Sequence, residues 1–136
     1  MGVKAWILAY ADGDVSPVLR TWPSLDIDAS RSHAARLYPG CRLTEVEGFD
    51  LYSYVDDGYV TVGSFPHLAL VSTRKLAVDR PSELDRRYLD AADGRTVYLC
   101  VMYSVVDWLA YAVWVDGTLT RSFNDWVPDW VRGSLG

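Results

Sequence analysis

At 136 residues, half of them apolar and 23% charged, the chain has material for one packed domain and lies outside the compositional range of disordered segments. A net charge of −5 argues against direct nucleic-acid binding, because no basic run exceeds the pairs Arg74-Lys75 and Arg86-Arg87. Eleven Arg against two Lys, with one Asn and no Gln, point to GC-rich coding and so to a high-GC bacterium or its phage.

In chain order, Lys4 to Ala11 reads as an apolar, aromatic-rich strand ending at the turn-like Asp12-Gly13-Asp14. A short helix is predicted over Ser16 to Trp22, with Pro17 tolerated in its first turn. A firmer helix covers Asp28 to Tyr38 and is stopped by Pro39-Gly40. Arg42 to Glu47 alternates polar and apolar residues as a half-buried strand does. Strands at Leu51 to Val55 and Tyr59 to Ser64 follow, separated by the hairpin signal Asp56-Asp57-Gly58.

The second half repeats this order. Leu68 to Thr73 is a strand, and Ser82 to Ala92 a helix with Asp85 in the capping-box position and Gly94 beyond its end. Leu84, Tyr88, Leu89 and Ala92 share its buried face. Strands Thr96 to Tyr103 and Trp108 to Val115 come next, and Asp116-Gly117 turns into Thr118 to Phe123. The expected class is α+β: a mainly antiparallel sheet with helices packed on it, suggesting a duplicated βαβββ unit. The expected organisation is a single domain over 1–123 and a Trp-rich tail over 124–136.

The run from Thr96 to Val115 approaches the length of a transmembrane helix. Its Val, Tyr and Trp content favours strands, and Asp107 near its centre would cost about 2.5–3.5 kcal/mol in a membrane. Two strands joined near Ser104 to Asp107 are expected instead. The N-terminus shows no signal-peptide pattern, which places the expected location in the cytoplasm.

Few residues offer chemistry. Asp12 and Asp14 leave the end of a strand, where paired carboxylates suit Mg²⁺, although an Asp-Gly-Asp sequence is also an ordinary turn. Ser104 and Asp107 are polar residues inside the most apolar stretch, and a desolvated carboxyl there would have a raised pKa. The favoured reading is that Asp107 accepts backbone N–H groups in the turn joining the two strands. His33 and His67, one on a helix face and one beside Pro66, give a Ser-His-Asp arrangement little support. Cys41 and Cys100 are expected as buried free thiols, with no Cys/His cluster for zinc. Gly58, Gly63, Gly94 and Gly117 are isolated turn glycines rather than a phosphate loop, so no cofactor is indicated. In the tail, Asp-Trp-Val occurs on both sides of Pro128. Trp126 and Trp130 either dock on the domain itself or form a recognition segment.

The blocks Ala9-Tyr10-Ala11-Asp12-Gly13-Asp14, Arg36-Leu37-Tyr38-Pro39-Gly40, Arg95-Thr96-Val97-Tyr98-Leu99 and Ser104 through Trp114 resemble an actinobacterial family of uncharacterised proteins, a domain of unknown function. The resemblance spans roughly residues 1 to 123 and implies an actinobacterial or actinophage source, but no activity. It also implies His in relatives at the positions of Cys100 and Tyr103, and a chain continuing well past Phe123. If those His residues serve a metal or catalysis in relatives, a shortened copy without them suits a protein that binds rather than transforms. Three functions stay open. The first is a non-enzymatic protein-binding module, phage-encoded and acting on a host or defence protein. The second is a metal-assisted hydrolase or nucleotide-binding enzyme using Asp12 and Asp14. The third is a structural homodimer paired through an edge strand or the tail.

Overall fold

The computed structural model describes residues 4–13, 17, 20, 23–45, 58–78, 80–103 and 108–124. Among these, six strands form one antiparallel sheet: β1 (Lys4–Ala11), β2 (Val60–Phe65), β3 (Leu68–Thr73), β4 (Thr96–Tyr103), β5 (Trp108–Val115) and β6 (Thr118–Asn124). Their spatial order is β2-β3-β1-β4-β5-β6. Helix α1 (Ile27–Leu37) lies between β1 and β2 in the chain, and the short α2 (Arg86–Asp90) between β3 and β4. The fold is α+β and mostly sheet.

This order encodes an internal repeat. In β1-α1-β2 the two strands run parallel with β3 inserted between them; in β3-α2-β4 they run parallel with β1 between them. The two units therefore interlock as a split βαβ pair, and β5 and β6 extend the β4 edge. Among the described residues the repeating unit is thus βαβ. Of the strand expected at Arg42 to Glu47, residues 42–45 are not in a strand and 46–47 lie outside the described residues. The strand expected at Leu51 to Val55 and most of the helix expected at Ser16 to Trp22 also lie outside them.

Period-two alternation builds the core. Trp6, Leu8 and Tyr10 of β1 point to one face, where the register sets them beside Val101, Leu99 and Val97 of β4. The row continues to Ala110, Ala112 and Trp114 on β5, and Leu8 and Tyr10 meet Val71 and Ala69 on the other side. Each fully buried Leu or Val here contributes about 1.5–3 kcal/mol. From α1, His33 and Leu37 face inward; Leu84, Tyr88, Ala91 and Ala92 close the same layer. The apolar run of the last third is the pair β4 and β5, and no described helix is long and apolar enough to cross a membrane.

Two further expectations need correction. The helix expected from Ser82 to Ala92 is broken: a 3-10 turn at Pro81–Glu83 precedes extended Leu84 (ψ 132°), and α2 starts only at Arg86. Asp85 causes the restart, because its carboxylate accepts from the Arg87 N–H at 3.0 Å and acts as the N-cap itself. Of the inward face predicted from Leu84, Tyr88, Leu89 and Ala92, all but Leu89 are buried, and Leu89 is partly buried against the core. The two cysteines are free but are not both buried. Cys41 is exposed just past the helix stop, where no strand follows to cover it. Cys100 alternates onto the sheet face opposite the helices, half-buried, with desolvation raising its thiol pKa.

Candidate functional site

Of the acids proposed for metal binding, Asp12 is described and already has partners. Its backbone N–H donates to the His67 carbonyl at 3.0 Å. Its carboxylate lies 3.6 Å from Arg95 Nε and 3.8 Å from His67 Nδ1. Arg95 therefore offsets its charge, and among the described residues no three His, Cys, Asp or Glu side chains converge as a metal site would require. Asp14, Ser104, Asp107, Trp126 and Trp130 lie outside the described residues.

A different cluster, built around His33, was not singled out by sequence reasoning. One helical turn places Arg36 above His33, and Arg36 Nη2 lies 3.0 Å from His33 Nδ1. A guanidinium only donates, so Nδ1 accepts and the neutral ring carries its proton on Nε2. Nε2 is buried without a hydrogen-bond partner among the described residues, and the ring sits edge-on to Tyr10 with centroids 4.5 Å apart. Burial, followed by the positive charges of Arg36 and Arg95, lowers the His33 pKa to about 4. The sequence places His33 on a helix face, yet its neighbours Tyr10, on β1, and Arg95, just before β4, are remote in the chain.

Tyrosines carry this polar seam through the core. The Tyr10 hydroxyl donates to the Tyr88 carbonyl at 2.6 Å, while the Tyr88 and Tyr38 hydroxyls lie 3.1 Å apart. Desolvation raises the pKa of both Tyr10 and Tyr88 above the ordinary phenol value, so these groups stay protonated. The Arg87 guanidinium covers the Tyr38 ring at 5.4 Å. The seam ties β1, α1 and α2 together.

Beside it runs an open groove of about 780 Å³ between α1 and the β2–β3 turn. Leu25 and Ile27, 54% and 57% exposed, form its apolar part together with Phe65 and Pro66. Arg36 and Arg95 line one end of its polar part, and Asp26 and Asp28 come from the helix start. Three bonds hold the rim. Asp26 N–H donates to the Ser64 carbonyl at 2.8 Å, Ser64 N–H donates to Ser30 Oγ at 2.8 Å, and Ser30 Oγ donates to the Asp26 carbonyl at 2.7 Å. The Asp26 carboxylate caps the helix through Ala29 N–H at 2.9 Å. The groove thus offers fixed charges and apolar surface, while the nearby imidazole is committed to Arg36 and does not line it.

The model of a family of unknown function, DUF6928, matches residues 5–127. No curated protein and no solved structure matches the chain.

Proposed function

We infer that this chain, which belongs to the family of unknown function DUF6928, is a non-enzymatic module that binds a protein partner through the groove along α1. The observation that carries this reading is the pairing of two solvent-facing aliphatic residues, Leu25 and Ile27, with the two groove arginines on a hydrogen-bonded rim. Exposed aliphatics cost little in the free protein and supply binding energy once covered. Trp126 and Trp130 form a second proposed contact, through the aromatic side chains that dominate many interfaces. The Arg-rich, Lys-poor composition supports a high-GC actinobacterial or phage setting, with a cytoplasmic host or defence protein as the partner.

A photo-crosslinking amino acid placed at Leu25 tests this in actinobacterial lysate, with the same group at exposed Val115 as the control. One partner enriched at Leu25, and lost when Ile27→Asp is added, is the expected result. Equal labelling at the two positions rejects the groove as the binding surface. Deleting residues 125–136 reports separately on the tail.

A further inference from the structure

We propose that the groove receives an extended peptide segment whose acidic side chain lies on Arg36 and Arg95 and whose basic side chain, four residues away, lies on Asp28. This rests on the reading of the groove as a protein-binding surface and specifies the partner's chemistry.

The Arg36 guanidinium is held from behind by its bond to neutral His33, and among the described residues it meets no carboxylate. Arg36 lines the groove, and a guanidinium has further donors with which to meet a carboxylate. Arg95 adds a second guanidinium, kept only loosely by Asp12 at 3.6 Å. At the other end Asp28 is almost fully exposed, and its 3.6 Å contact with Arg31 is weak because Arg31 is engaged by both oxygens of Glu45.

Helical rise separates Asp28 from Arg36 by about 12 Å along the axis. An extended chain covers that distance in about four residues at roughly 3.3 Å each. Residues i, i+2 and i+4 of such a chain point to the same side, so both charged ends face the groove together. The middle residue then falls beside Ala29 and Ser32, which calls for an uncharged side chain, while Leu25 and Ile27 flank the Asp28 end. The lining carries two arginines and two aspartates, so it matches a dipolar peptide; a phosphate dianion would instead meet Asp26 and Asp28 on a protein of net charge −5.

The test uses the full chain and a capped Asp-Gly-Leu-Gly-Lys peptide, followed through backbone amide shifts in NMR. Saturable shifts confined to α1 and the β2–β3 turn are expected. Replacing the peptide's Asp by Asn, or introducing Arg95→Gln, should each weaken binding by about tenfold. Arg36→Gln should do the same. Arg36→Lys keeps the charge but loses the fork, and should recover only part of the affinity, with thermal unfolding confirming that each variant is folded. An Asn peptide that binds as well as the parent, the absence of any shift, or inorganic phosphate displacing the peptide from the same amides would each overturn the assignment. If the peptide fails while the Leu25 crosslink persists, the groove still binds protein and only this chemistry is wrong. If both fail, the functional reading fails too.

Discussion

Arg36 donates to His33 Nδ1 across 3.0 Å beneath helix α1, so a buried imidazole is locked in its neutral form by a permanent cation. A proton added to that ring would find both its solvation and its electrostatics unfavourable.

The first consequence is a pH-dependent stability. The folded-state His33 pKa of about 4 lies below the ordinary 6.5, so between these values the unfolded chain binds the proton and the folded one does not. This contribution is fully present above pH 6.5, falls as the pH drops toward 4, and is flat below that. Its full size is about 3 kcal/mol. Urea unfolding of wild type and His33→Leu should show the stability difference between them moving in favour of the variant from pH 7 to pH 4.5. A difference that is constant across that range contradicts the neutral buried ring.

Among the tyrosines, Tyr10→Phe should be the costly change. It removes the 2.6 Å bond to the buried Tyr88 carbonyl and leaves that acceptor unsatisfied, at about 1–3 kcal/mol. Tyr38→Phe loses a bond to a part-buried hydroxyl and should cost less, about 0.5–1 kcal/mol. Chemical denaturation of the two variants gives the ranking directly.

At the groove rim, Ser30→Ala should destabilise more than Asp26→Ala. The serine oxygen serves the Ser64 N–H and the Asp26 carbonyl at once, and its loss strands a donor at buried Ser64, at about 1–3 kcal/mol. Asp26→Ala removes a helix cap worth about 1 kcal/mol but keeps its backbone bridge to Ser64. Thermal unfolding compares the two, and amide exchange at Ser64 should rise in the Ser30 variant alone.

The β5–β6 hairpin depends on left-handed backbone at Asp116 (φ 51°) and Gly117 (φ 77°). Asp116→Val puts a β-branched residue there and should cost about 1–2 kcal/mol, whereas Asp116→Asn should be close to neutral. Gly117→Ala is strained by the same φ, and its new methyl would lie 3.1 Å from the movable Arg86 Nη2. Denaturation midpoints of the three variants test this order.

Much of the fold was legible because its signals are local. Alternation over Lys4 to Ala11 and Thr96 to Tyr103, the stop at Pro39-Gly40 and the turn at Asp116-Gly117 each act within a few residues. The same local rules misplaced the helix around Asp85, where cap and capping box compete over one side chain. That Arg95 is the charge partner of Asp12 shows only in the tertiary structure, because the two are far apart in the chain.

By itself, then, the sequence determined the six described strands, helix α1 and which of their faces are apolar, because dihedral preference and side-chain periodicity are short-range. The tertiary structure alone decided that β1 lies between β3 and β4, that His33 is enclosed against Tyr10, and that Arg36 and Arg95 share a groove with Leu25 and Ile27. Those relationships join residues that are remote in the chain. Only packing of the apolar faces brings them close enough for burial and charge to act.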